Sequence, residues 1–207
     1  LAALANGVLA NAADFDDTHK RALLHTGSVV VPTVLALAQE RHLSGKDIVA
    51  AVVAGYEVAV RVGMAVMPTH YRYWHSTATN GTFGAAAAAA RALGLSSART
   101  RMALGFAGTQ AAGLNTFFTS GDFTKSLHPG KAAFNGILSA RLAALDATSP
   151  PAMLEHEKGY LAAFSLEPKA AALTAGLGAT WEILQNGFKL PLTGKPAREW
   201  AIFARAY

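Results

Sequence analysis

Thr77-Ala78-Thr79-Asn80-Gly81-Thr82-Phe83-Gly84, followed by six alanines from Ala85 to Ala90 and closed by Arg91-Ala92-Leu93, is the stretch that decides the fold. Alanine has the highest helix propensity of any residue, so the run predicts a helix over about 77–93. Gly81 and Gly84 mark where a second helix approaches closely, because neither adds a side chain to the contact. A helix of such small residues with a single charge, Arg91, belongs inside a protein rather than on its surface.

Helices are predicted on both sides of it. Residues 1–13 form an Ala/Leu/Asn helix that ends at the polar cluster Asp14-Phe15-Asp16-Asp17-Thr18-His19. A second helix starts near Ser28, with Pro32 in its first turn, and runs to Arg41. Ser44-Gly45-Lys46-Asp47 opens a third, with Ser44 as cap and Asp47 returning a bond from the third helical position. That helix ends before Pro68. Thr69 to His75 reads as an aromatic, basic loop. Another helix spans about Ser97 to Leu114, and a polar loop from Phe117 to Gly130 leads into a helix ending near Asp146. Ser149-Pro150-Pro151 supplies an N-cap with proline at the first helical position. After Trp181-Glu182-Ile183-Leu184 the periodicity fades. The fold class is therefore all-α: helices packed as a bundle, with no internal repeat.

Composition narrows the function. The 207 residues are 52% hydrophobic and only 15% charged, so most helices are buried on more than one side. Net charge is +5, but Lys and Arg are scattered without a stripe or interleaved aromatics, which argues against nucleic acid and suits an anionic metabolite. Zero cysteines exclude disulfides, a thiolate nucleophile, Cys-held zinc and the usual iron–sulfur clusters. Ile48 to Val66 is long enough to span a bilayer, yet Glu57 and Arg61 stand near its middle at i,i+4 spacing; a core helix with an internal ion pair is the better reading, with no membrane partner. The start lacks a basic leader region and an initiator Met, which points to residues upstream and a cytoplasmic location.

Polar residues gather in three inter-helix segments: Asp14, Asp16, Asp17, Thr18, His19 and His25; His70, Tyr71, Arg72, Tyr73 and His75; Asp122, Thr124, Lys125, His128 and Lys131. A bundle brings such segments to a few shared ends, where one cleft can collect them. Each has a bland alternative. The Asp cluster could be a solvated cap or a divalent-cation loop, although the twelve-residue calcium loop is absent. His75 could be a core histidine, Lys125 an exposed loop residue, and His128-Pro129-Gly130 a turn. Spacing alone leaves these open.

Several blocks together resemble the MmgE/PrpD family. They are Asp14-Phe15-Asp16-Asp17-Thr18 with His25-Thr26-Gly27-Ser28-Val29-Val30-Val31-Pro32; Gly55-Tyr56-Glu57-Val58; Trp74-His75-Ser76-Thr77-Ala78-Thr79 with Gly81 and Phe83-Gly84; Thr124-Lys125-Ser126-Leu127-His128-Pro129-Gly130-Lys131-Ala132-Ala133; and Trp181-Glu182-Ile183-Leu184. They stand in the family's order from about residue 5 to 187. The resemblance implies a large helical domain, here residues 1–187 and incomplete, lacking the family's α/β lid, with 188–207 a divergent tail. It implies a homodimer, no metal and no cofactor. It also implies Asp14, His25, His75 and Lys125 as catalytic residues and Thr18 as a substrate-binding one, with His128 and Lys131 flanking.

The chemistry the family performs suits those residue types. Elimination, decarboxylation or epimerisation of a small polycarboxylate needs a base for an activated C–H, an acid, and cations facing the carboxylates. Histidine can take either proton role near neutrality. The roles that follow are His75 as acid/base, His25 and Lys125 gripping carboxylates, and Asp14 and Thr18 positioning, with His75 and His25 exchangeable. The expected function is a cofactor-independent lyase of dehydratase/hydratase type acting on a 2-methylcitrate-like acid. The alternatives are an epimerase or decarboxylase of the same family, a truncated non-catalytic remnant, and a site completed by a separate lid-bearing chain.

Overall fold

The computed structural model describes residues 1–188. Of the divergent tail, only Phe188 therefore lies within the described residues. The helices are α1 (Ala2–Asn11), α2 (Gly27–Arg41), α3 (Gly45–Val66), α4 (Ser76–Ala92), α5 (Ser97–Gln110), α6 (Phe117–Ser120), α7 (Thr124–Ala144) and α8 (Tyr160–Phe164). The only sheet among the described residues is a ribbon of two short antiparallel strands, β1 (Asp17–His19) and β2 (Asn186–Phe188), with Thr18 opposite Gly187. The all-α reading holds.

α4 is the axis around which the rest assembles. Every residue of it except Arg91 is buried, and α2, α3, α5 and α7 all pack against it. Its small residues make this possible. A Cβ built on Gly84 would lie 2.5 Å from the Ala59 Cβ and 2.8 Å from the Gly55 carbonyl oxygen of α3. On the α7 side, a Cβ on Gly136 would lie 2.2 Å from the Ala85 Cβ. Gly84→Val is expected to lower stability by about 1–3 kcal/mol through overpacking, since the propensity difference between Gly and Val is smaller than that. Urea unfolding measures it; an unchanged midpoint would mean that α3 moves aside freely.

α3 has the length and hydropathy of a membrane span, but most of that apolar window is buried inside the protein. Glu57 and Arg61 form the anticipated i,i+4 pair at 3.2 Å, both buried. The pair does more than neutralise itself. Arg61 donates to the carbonyls of Ala175 (2.6 Å) and Thr180 (3.0 Å), and Glu57 accepts from the Ile183 amide. The segment 175–183 is thus fastened to α3 by charge-assisted bonds, and β2 follows soon after it.

Several boundaries differ from the sequence reading. The Ser44 cap forms, accepting from the Asp47 amide, but the Asp47 carboxylate accepts from the Ser44 hydroxyl rather than from its backbone. Pro32 is in the second turn of α2, not the first. α5 stops at Gln110 instead of Leu114, and Thr69–Arg72 forms one 3-10 turn inside the aromatic loop. The polar loop 117–130 is shorter than expected, because α7 begins at Thr124 and carries Pro129 within it. No helix starts at Ser149-Pro150-Pro151, which leads into turns ahead of α8. The Ser149 hydroxyl donates to the Met102 carbonyl at 2.7 Å and so anchors the chain to α5.

Candidate functional site

Three long helices begin at one place. His25 and Thr26 immediately precede α2, His75 is the N-cap residue of α4, and Lys125 is in the first turn of α7. Each N-terminus carries the positive end of a helix dipole, so their convergence creates a setting for anions. The loop from Asp14 to His25 closes over it. The Ser76 hydroxyl donates to the Ala22 carbonyl (2.7 Å) and the His25 amide donates to the Thr77 hydroxyl (3.1 Å), which docks this loop on the start of α4.

Asp14, Thr18, His25 and Lys125 are brought together as the sequence anticipated. The Lys125 ammonium donates to Asp14 Oδ1 at 2.6 Å, and the same oxygen faces His25 Nε2 at 3.5 Å. Asp14 reaches this position with φ at +54°, a left-handed conformation that Asp tolerates better than most residues. Thr18 Oγ1 is 3.3 Å from His25 Nδ1.

Asp16 was missed as a site residue. It sits 3.3 Å from His25 Nδ1 and accepts two bonds from Asn11 Nδ2. Burial opposes its ionisation, but His25, Asn11 and Ser28 outweigh this and hold the carboxyl below its usual range. His25 therefore lies between two carboxylates. The sequence showed both, and only their distances from His25 tell their roles apart.

Asp17 was missed too, together with Tyr56. The Asp17 carboxylate accepts from the Gly27 amide (2.9 Å) and the Tyr56 hydroxyl (3.0 Å), closing the loop that carries His25 and tying it to α2 and α3. Burial pushes this carboxyl up, against the two bonds that favour its charge. The signal was Tyr56 in Gly55-Tyr56-Glu57-Val58, a lone phenol on a core helix that needs a buried partner.

His75 is 1% exposed, packed edge-on against Phe117 with ring centroids 5.0 Å apart. Its Nδ1 lies 2.8 Å from Nδ1 of His128. Burial, followed by the positive charges of His128, His25 and Lys125, pushes His75 down to about 2, so it is neutral at any ordinary pH. His128 thus meets His75 directly. Lys131 does not join the group: it donates to Asn135 one turn along α7 (2.5 Å) and stands over the Phe134 ring.

The carboxylates of Asp14 and Asp16 and a ring nitrogen of His25 lie within 4.8 Å of one another, a spacing that could hold a cation. The Lys125 ammonium already places a positive charge against Asp14 there. A groove of about 670 Å³ runs behind the loop, lined by Asp16, Asp17, Val31, Leu35, Tyr56 and Ile183 among others. Its wall is mostly apolar, and His75, Lys125 and His128 do not line it, so the convergent N-termini are the better candidate site.

A buried neutral histidine makes stability depend on pH. His70 donates from Nδ1 to the Phe164 carbonyl (3.0 Å) and meets Thr79 Oγ1 through Nε2 (2.8 Å). Burial pushes it down to about 4, against the opposing effect of that carbonyl, from an ordinary value of 6.5. Below about pH 6.5 the unfolded chain takes up protons at His70 and His75 that the folded chain refuses. Stability is expected to fall as pH drops from 6.5 towards 4, and less steeply in His70→Gln. Thermal unfolding across that range checks it; parallel curves for the two proteins would contradict it.

The chain belongs to the MmgE/PrpD family: the profile of the MmgE/PrpD N-terminal domain matches residues 1–172. Curated relatives include the cis-aconitate decarboxylase of Aspergillus terreus, 34% identical over 203 residues, covering 91% of this chain and 41% of the relative. The human cis-aconitate decarboxylase is 36% identical over 168 residues, covering 77% of this chain and 34% of the relative. The mouse protein of the same name is 33% identical over 171 residues, covering 77% and 33%. The chain thus spans about two fifths or less of the length of these relatives.

Proposed function

We propose that this chain carries the proton-transfer centre of a cofactor-independent lyase that acts on a small di- or tricarboxylate. The observation that carries the reading is the convergence of three helix N-termini on His25, His75 and Lys125. Positive helix ends and an ammonium group offset the charge of a polycarboxylate, and the neutral imidazole of His75 keeps a lone pair that can receive a proton. In this reading Lys125 and His25 grip carboxylates, while Asp14 and Thr18 fix the His25 ring. His128 and Lys131 flank, and His75 moves the proton.

Similarity to enzymes named cis-aconitate decarboxylase puts decarboxylation of a cis-aconitate-like acid ahead of dehydration of a 2-methylcitrate-like one. Both reactions pass through a carbanion or enolate next to a carboxylate, and both need a protonated or unprotonated nitrogen at the same carbon. The reading also includes a cytoplasmic homodimer and a lid, in the same or a separate chain, that excludes water from the bound acid.

The test is NMR in D₂O with cis-aconitate, citrate, 2-methylcitrate and iminodisuccinate. Release of CO₂ from cis-aconitate with deuterium entering the product supports the decarboxylase. Loss of water from 2-methylcitrate supports the dehydratase, and exchange confined to iminodisuccinate the epimerase. No reaction on any of the four by folded protein, with and without a lid-bearing chain, would overturn the proposal in favour of a non-catalytic helical remnant.

A further inference from the structure

His75 and His128 come from helices α4 and α7, 53 residues apart, and meet Nδ1 to Nδ1 at 2.8 Å. That contact forms only if one ring brings the hydrogen and the other the lone pair, so the two imidazoles hold complementary tautomers. The contact occupies Nδ1 of His75, so Nε2 is the ring nitrogen that would meet a substrate. His128 is the more accessible of the two, 8% exposed against 1%.

We propose that His128 is a positioning and relay residue that lets the buried His75 act as a base without becoming charged. The inference rests on the reading of His75 as the acid/base group. In the base direction, the Nε2 lone pair of His75 takes the proton from the substrate carbon, and the C–H electron pair remains there as the enolate. The proton on His75 Nδ1 passes across the contact to His128 Nδ1. One C–H bond and one N–H bond break, and two N–H bonds form. His75 ends neutral in its other tautomer, and the positive charge on His128 balances the negative charge on the substrate. Protonation of a carbanion, as after loss of CO₂, runs the same transfers backward.

The electrostatic surroundings support this division of labour. His75 faces His128, His25 and Lys125, whose charges add to burial in opposing a cation there; Asp14 alone acts the other way. His128 is also depressed by burial, but Asp122 favours its charged form. Phe117 lies edge-on to both rings and brings no charge of its own. A proton that arrives at His75 is therefore more stable on His128.

The experiment is ring ¹⁵N NMR on the histidine-labelled full chain, followed by exchange or decarboxylation kinetics for the wild type, His75→Ala, His128→Gln and His128→Ala. Complementary tautomers at neutral pH, with His128 charging before His75 on acidification, are expected, and this measurement needs no turnover. His128→Gln keeps a hydrogen bond but cannot pass a proton, so kcat is expected to fall by about 10²-fold with KM nearly unchanged. Added imidazole should restore part of the rate of His128→Ala. Identical tautomers, or His75 charging first, would overturn the relay. So would an unaltered rate and pH profile in His128→Gln when His75→Ala is inactive, and a rise confined to KM would make His128 a substrate-binding residue instead. Full activity in His75→Ala would remove the acid–base reading itself, an outcome distinct from failure of the relay alone.

Discussion

Arg61→Met is expected to cost about 3–5 kcal/mol of folding stability, the effect of breaking a buried ion pair from one side. The Glu57 carboxylate would remain buried without its 3.2 Å partner, and the carbonyls of Ala175 and Thr180 would lose their donor. For a domain of this size the loss corresponds to a fall in melting temperature on the order of 10 °C. Proteolysis in the 170–185 region should accelerate beyond what global unfolding explains, because Arg61 supplies two of the bonds that hold that segment to α3. The double variant Glu57→Gln/Arg61→Met should recover part of the loss, since no charge is then stranded. A single-variant loss below about 1 kcal/mol would mean that the pair behaves like an exposed one and that the segment is held by its apolar contacts.

That staple shows where the sequence could be read and where it could not. The Glu57–Arg61 spacing was visible, because an i,i+4 pair is a local feature of one helix. The partners it recruits lie more than a hundred residues away and are backbone carbonyls and an amide, which any sequence would supply. α4 was legible for the same local reason: its run of small residues predicts a buried, closely approached helix, and Gly84 against Gly55 and Ala59 is that approach.

Pro129 misled where Pro32 did not, because the expected second helix already contained Pro32. Each is the sixth residue of its helix, a position where proline removes one intrahelical bond and normally marks a boundary. Packing of α2 and α7 against α4 overrides that preference, as tertiary burial often does. The ribbon between Asp17–His19 and Asn186–Phe188 had no local signal, because two three-residue strands far apart in the chain have no periodicity to detect.

The site divides similarly. Residue types and family blocks pointed to Asp14, Thr18, His25, His75 and Lys125, and four of these are joined by contacts of 2.6–3.5 Å. What the sequence could not supply was direction. Whether Asp16 faces His25, whether Asp17 holds the loop shut, and whether His128 faces His75 or a substrate depend on backbone angles such as the +54° φ at Asp14.

His75→Gln is expected to lower kcat for the preferred acid by about 10²–10⁴-fold, the range for removing a general acid or base, with little change in fold. The His75 amide keeps its bond to the Gly113 carbonyl, and a glutamine can still reach toward His128. Circular dichroism and the unfolding midpoint at pH 7 should therefore be close to wild type. The pH dependence of stability should differ, because the acid sensitivity that a buried neutral histidine adds below about 6.5 is removed with it. Lys125→Met is the informative contrast. Without the ammonium, a substrate carboxylate loses its cation, so KM should rise more than kcat falls. Were the pattern reversed, with His75→Gln acting on KM and His25→Gln on kcat, the two histidines would exchange roles and the relay through His128 would be left with no base to serve. If neither histidine variant altered kcat, proton transfer would have to lie outside the convergent N-termini, and the polycarboxylate reading would lose the geometry that supports it.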